Sequence, residues 1–437
     1  MTERERECRE IGSMIDRLWP IMRSIAGPGV RQTFDILGEW MPHERIEIPS
    51  GEPVFDWTTP QEWRVREAHV TGPDGRRVID VADNSLHLVN YATSFRGRLN
   101  RAELEAHLYS LPEQPDAIPY VTSYYRPRWG FCLTDRQRHD LPEGDYEVVV
   151  DTDHFDGSLT VAEAVLGGSE EGEVFFSSYV CHTAMANNEL SGPVALAMLY
   201  RRLAAWPKRR LTYRFALTTE TVGTIAYLTR RGAHLRDRVT AGYVLTCVGD
   251  SGAPDRQFTY KRSRRQDSAA DKAALHVLRR ELGVPFQEVP FMPDNGSDER
   301  QYCSPGFDLP VGSLMRTMYG EYPQYHTSLD DRSLVTPEAL LGTVDAYERI
   351  ARLLDANVRY RNLSPYGEPQ LGRRNLYATT GQHADASTSA MLWLLNLSDG
   401  THDLLSIAER SGHAFPTIAA AAERALAAGL LERADPS

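Results

Sequence analysis

The 437-residue sequence predicts an α/β protein with a small β-rich insert near its start and a helical unit at its end. Three observations carry this. Short runs rich in β-branched and aromatic residues alternate with helical patterns from about 146 to 356. A stretch over 46–128, dense in Pro and aromatics, has a different texture. Three closely spaced helical patterns follow 366. At this length two or three domains are expected. They divide as 1–45 with 129–365 for the main domain, 46–128 for the insert and 366–437 for the terminal unit.

The elements follow in order. Residues 3–41 read as largely helical, with Ile11, Met14, Ile15 and Leu18 in an apolar stripe, punctuated by Pro20 and the Gly-Pro-Gly at 27–29. PVFDWTTPQEW (53–63) is too rich in Pro for a long helix, and RRVIDV (76–81) follows a PDG turn signal as a short strand. The insert closes through 111–132. Strands are then expected at YEVVVD (146–151), VFFSSYV (174–180), TYRFALT (212–218) and GYVLTCV (242–248), with helices over 192–206, 222–231, 269–282 and 337–356. Near-continuous apolar strands between helices imply a sheet buried on both faces. The last three helices have the order of a winged helix. The third, 416–428, is largely alanine with Arg424 as its only basic residue, whereas a DNA reader needs Arg, Lys, Asn or Gln there. Intramolecular docking or a dimer contact suits it better, so a homo-oligomer is one expectation.

Bulk properties narrow the classes further. A net charge of -12 disfavours nucleic acid as a partner. The five cysteines are scattered without CxxC spacing, which suggests neither a disulfide framework nor a thiolate zinc site. The charged opening and the lack of a long apolar run point to a cytoplasmic protein with no membrane partner.

Ligand sites in open α/β folds gather at the carboxyl ends of strands. His182, Glu220 and Asp250 each fall just past one of the predicted strands, and His326 follows in EYPQYHTSLD. Any one alone reads as a loop residue; together they point to a metal or catalytic site. Other residues have two readings each. Asp298 in NGSDERQY either orients a ligand or substrate, or caps a turn. The cluster Lys261, Arg262, Arg264 and Arg265 is a solvated turn or a clamp for a substrate carboxylate, with Arg262 and Arg265 as its candidates. Tyr319, Tyr322 and Tyr325 either pack or supply an oxyanion donor, Tyr325 being nearest His326. Cys181 is expected to point away from His182 as a core thiol.

The strings YVCHTAMANNELSGP, ETVGTIAYL, YKRSRR, NGSDERQY, GFDLPVGSLMRT and YPQYHTSLDD, with PVFDWTTPQEW and IPYVTSYYRPRWGFCL, carry a resemblance over nearly the whole chain. It resembles zinc aminopeptidases of the leucyl-aminopeptidase and glutamate-carboxypeptidase type, in the form with an inserted β domain and a C-terminal winged helix. The resemblance implies a mixed sheet flanked by helices and one or two zinc ions. It also implies that His182 and Asp250 hold one metal, that His326 belongs to a second, and that Glu220 is the general base. Two departures stand out. Asn188 occupies the place of the bridging carboxylate, and Thr221 stands where a second acidic ligand would follow Glu220. An amide offers one good acceptor oxygen and no charge, so the second site should suffer most. Glu189, next door, is a substitute only if its side chain turns into the gap. The implied function is a metal-dependent amide or peptide hydrolase acting on a small peptide-like or amino-acyl substrate. The alternative is a hydrolytically impaired protein of the same fold with a binding or scaffold role.

Overall fold

The apolar strand runs assemble into one eight-stranded mixed sheet in the computed structural model, which describes residues 1–376 and 386–434. Its order is Glu44–Pro49, Ser158–Leu166, Thr212–Thr218, Glu173–Tyr179, Val239–Val244, Val311–Met315, Phe258–Lys261 and Phe286–Val289. The central strands from Thr212–Thr218 to Val311–Met315 are parallel to one another, and antiparallel strands border them on both sides. Every residue of Glu173–Tyr179 is buried, as a strand covered on both faces requires. Helices Ser191–Ala204, Val222–Arg238, Ala269–His276 and Pro337–Ala356 provide the cover. The first of these lies very close to the sheet. A Cβ at Gly192 would fall 2.3 Å from the Leu245 carbonyl oxygen and 2.4 Å from Ser178 Oγ.

A second, antiparallel sheet has the order Arg77–Asp80, Glu62–Thr71, Asp145–Phe155 and Phe95–Asn100. Here the strand expected at 146–151 departs from its assigned place. It lies in Asp145–Phe155 and pairs with Glu62–Thr71 and Phe95–Asn100, not with the large sheet. Glu44–Pro49 does the reverse and pairs with Ser158–Leu166 at the edge of the large sheet. An apolar alternation announces a strand but not its partner, because pairing is set by contacts distant in sequence.

The terminal unit has helices Ala386–Leu397, Leu404–Ser411 and Phe415–Ala427. Its three-stranded sheet is centred on Arg359–Asn362, which precedes all three helices and pairs with both Asp399–Asp403 and Leu431–Arg433. This unit docks on the main domain. His276 is buried, its Nε2 accepts the Phe415 N–H at 2.9 Å, and its Nδ1 faces the Glu409 carboxylate. Leu404, Phe415 and Ile418 share an apolar core with Leu278 and Tyr347 of the main domain. Among the described residues, no helix is long and apolar enough to cross a membrane.

Candidate active site

The carboxyl ends of the parallel strands open into a cavity of about 470 Å³. His182, Glu220 and His326 line it together, although 38 and 106 residues of chain separate them in turn (182 to 220, then 220 to 326). The loops that bring them there are strained. Ala184, Thr221, Cys247 and His326 are all non-glycine residues with left-handed backbones, at φ of 45°, 64°, 52° and 56°. Such conformations cost free energy and persist where surrounding contacts over-determine them. At Thr221 the contact is Asp298, whose Oδ1 accepts the Thr221 N–H at 2.8 Å.

His182 is the centre of the arrangement. Its Nδ1 lies 2.7 Å from Glu189 Oε2, and its Nε2 lies 3.6 Å from Glu220 Oε2. Its pKa is raised well above the usual imidazole value: burial pulls it down, but the neighbouring Cys181 and Glu189 outweigh that. Glu220 is held by the Ser297 hydroxyl, which donates to Oε1 at 2.9 Å, and its side chain keeps 27% exposure. His326 is partly buried, its ring stacks on Tyr325 at 3.9 Å, and its buried Nε2 has no partner. Burial, then the charge on His182, push the His326 pKa down to about 3, so this imidazole is neutral with a lone pair available.

Tyr120, Thr122, Tyr124 and Tyr125 complete the wall. Ile118 and Tyr120 exchange backbone hydrogen bonds with the loop of His326: the Tyr120 N–H donates to the His326 carbonyl at 2.9 Å, and the Ser328 N–H to the Ile118 carbonyl at 2.9 Å. The Tyr120 ring meets His182 and His326 edge-on, with centroids 4.9 and 5.5 Å away. Its hydroxyl pairs with Tyr124 at 2.7 Å, and the Tyr124 hydroxyl reaches Asn90 Oδ1 at 3.2 Å. Trp57 and Tyr125 form the rim, Tyr125 with 71% exposure.

The remaining candidates lie elsewhere. Asp250 does not line the cavity; its carboxylate accepts from Asn187 Nδ2 at 3.2 Å, the Gly252 N–H at 3.1 Å and the Thr317 backbone and hydroxyl. The strand ends at Val244 and Cys247 turns left-handed, which carries Asp250 out of line. Asn188 is buried outside the cavity lining, with Nδ2 on the Tyr179 hydroxyl at 3.1 Å and Oδ1 unpartnered. Arg262 pairs with Glu288 at 2.6 Å, and Arg265 with Asp308 at 3.2 Å, so neither reaches the cavity as a clamp. Asp298 sits behind Thr221, and Tyr325 behind His326. Burial, then Glu220, push the Asp298 carboxyl up to about 7. Cys181 is a core thiol as expected but does not point away from His182: it touches the cavity, 3.5 Å from His182 Nδ1, and its thiol accepts the Glu220 N–H at 3.3 Å. Burial pushes that thiol up to about 12, so it is no nucleophile at neutral pH.

One further residue takes a role other than the one the sequence suggested, and another had no sequence signal at all. Glu189 stands behind His182 instead of filling the place opposite Asn188. Asp330 is fully buried and accepts the backbone N–H groups of Ala186, Asn187 and Asn188 at 3.1, 2.6 and 2.9 Å. It thereby caps the π-helical turn Ala186–Leu190 that carries Asn188 and Glu189.

The zinc implied by the fold can be tested against these donors. His182 Nε2 and Glu220 Oε2 are 3.6 Å apart, so a cation on His182 would have this carboxylate beside it. His326 Nε2 is a buried, unpartnered donor on the same cavity. His182 and His326 offer imidazole nitrogens of the kind that suit zinc, with the Glu220 carboxylate on the same cavity. Asn188 and Asp250 are engaged elsewhere; among the described residues, the ligand atoms that lie within 4.8 Å of one another are those of Cys181, His182 and Glu189.

Comparison with known proteins agrees with this architecture. A Clostridium acetobutylicum protein named for polysaccharide biosynthesis with an aminopeptidase-like domain is 41% identical over 416 residues, covering 95% of this chain and 94% of its own. The crystal structure of a protein from the same organism, described as a peptidase, is 39% identical with a TM-score of 0.91, covering 98% of this chain and 97% of its own. A zinc aminopeptidase from Bacillus subtilis shares the fold alone, at 11% identity and a TM-score of 0.58 over 80% of this chain and 94% of its own. A winged helix-turn-helix profile matches residues 358–433. The domain of unknown function DUF4910 matches residues 13–357, and the chain belongs to that family.

Proposed function

We propose that this protein is a metal-dependent amide hydrolase of the aminopeptidase type, acting on a small peptide-like or amino-acyl substrate. The observation that carries this is the convergence of His182, Glu220 and His326 on one aromatic-lined cavity at the carboxyl edge of the parallel strands. His182 and His326 would hold the cation, with Glu220 beside it. A zinc ion there would supply Lewis-acid polarisation of the scissile carbonyl. The chain's own groups supply the rest. Glu220 is fixed at one oxygen by Ser297 and open at the other, which suits it to take a proton from attacking water and pass it to the leaving amine. Tyr120, Tyr124 and Trp57 line the cavity and limit the space to a small substrate.

A second reading has its own support. The outward engagement of Asn188 and Asp250 leaves donors for a single cation, and one relative is named for polysaccharide biosynthesis. A binding or scaffold role on a peptidase fold, with hydrolysis impaired, is that alternative. Screening aminoacyl and dipeptide amides with zinc-loaded protein separates the two. Cleavage that disappears in Glu220→Gln while zinc is retained supports the hydrolase; absence of cleavage across the panel with zinc bound favours the binding role.

A further inference from the structure

The carboxylate of Glu189 is buried with its side chain at 0% exposure, and only one of its oxygens has a hydrogen-bond partner. That partner is His182 Nδ1, at 2.7 Å. On the other side lies Arg23, fully buried, whose Nε donates to the His182 carbonyl at 2.8 Å and for which Glu189 is the leading opposing charge. His182 is therefore held at its backbone carbonyl by Arg23 and at its imidazole Nδ1 by Glu189. Its remaining nitrogen, Nε2, is the one that faces Glu220.

Resting on the metal-dependent reading above, we propose that Glu189 is the outer carboxylate of the metal site, holding the Nδ1–H of His182 so that Nε2 presents its lone pair to the cation. A neutral imidazole carries its proton on one nitrogen only, and a carboxylate at hydrogen-bond distance from Nδ1 decides which. Glu189 is thus a positioning residue. It occupies the side of His182 away from the cavity, which explains how a glutamate adjacent to Asn188 can matter without replacing the missing bridge.

A rival arrangement uses the same atoms. Cys181 Sγ, a nitrogen of His182 and a carboxylate oxygen of Glu189 all lie within 4.8 Å of one another and could hold an ion themselves. The geometry disfavours it: 2.7 Å between Nδ1 and Oε2 is a hydrogen-bond distance, shorter than the ~3.3 Å between two tetrahedral zinc ligands.

Cobalt(II) titration of the full chain, with zinc competition against a chromophoric chelator, tests the assignment. The expected wild-type spectrum has visible d–d bands and no intense near-ultraviolet thiolate-to-cobalt band, and Cys181→Ser leaves it unchanged. Glu189→Gln, which keeps the shape and an acceptor but loses the charge, should weaken metal binding about 10-fold. Glu189→Ala should weaken it by up to about 100-fold, with the far-ultraviolet circular dichroism retained. Unchanged affinity in both variants, or a thiolate band in the wild type, overturns the assignment and leaves the metal-dependent reading standing. Failure of the wild type to bind either metal overturns both. The cobalt spectrum needs no variant, so the assignment stays refutable even if the Glu189 variants do not fold.

Discussion

Replacing Asp330 with alanine should destabilise the protein, by an amount that grows on acidification. The wild-type carboxylate is fully buried and takes the N–H groups of Ala186, Asn187 and Asn188 and the Tyr322 hydroxyl, the last at 3.2 Å. In the variant, Ala186 keeps its bond to the residue-330 carbonyl, so three donors lose their acceptor. At about 1–3 kcal/mol per unsatisfied buried donor, the loss is about 6 kcal/mol. Against this stands the burial of the carboxylate itself, which raises its pKa from 3.8 to about 6. That shift corresponds to about 3 kcal/mol of cost at neutral pH, which the alanine removes. The net loss at pH 7 is about 3 kcal/mol. The sign of the pH dependence follows. Between 3.8 and about 6 the native state binds the proton more tightly than the unfolded chain, so this group's contribution is present at low pH and is lost as pH rises through 6. Urea denaturation of wild type and Asp330→Ala at pH 7.5, 6.5 and 5.5 should show the gap widening as pH falls. A gap below about 1 kcal/mol at every pH, or one that narrows on acidification, would refute the reasoning.

Three further outcomes are expected. Lys261→Met leaves the Glu299 carboxylate buried without its cation and should cost about 3–5 kcal/mol in chemical denaturation, most of it recovered in Lys261→Met with Glu299→Leu. Arg262→Ala and Arg265→Ala break partly exposed pairs and should change stability by no more than about 1 kcal/mol, with KM for any cleaved amide unaltered; a tenfold rise in KM would return them to the site. Ser297→Ala removes a hydrogen bond to the Glu220 carboxylate, and kcat should fall about 10- to 100-fold with KM unchanged.

What was legible in the sequence was local. Apolar strands followed by His182 and Glu220 place those residues at neighbouring strand ends whatever the loops do, and the structure has both on one cavity. Asp250 failed the same inference because it lies six residues past Val244, beyond a left-handed Cys247, where strand direction no longer governs. Cys181 is the core thiol expected, but it does not point away from His182, since strand pairing stops at Tyr179 and side-chain alternation stops with it. The arginine cluster looked free because its partners Glu288 and Asp308 are 26 and 43 residues away from Arg262 and Arg265. Asp330 is 142 residues from Asn188, whose N–H it accepts, so its capping role had no local mark at all. The strand at Asp145–Phe155 was visible as a strand, but its place in the smaller sheet depended on Glu62–Thr71 and Phe95–Asn100.

The central claim is a single cation held by His182 and His326 beside Glu220. Plasma mass spectrometry on protein purified without chelator, then reloaded with zinc and desalted, tests it most directly. One zinc per chain is expected, falling well below one in His326→Ala. Two zinc ions per chain, or none after reloading, would contradict it.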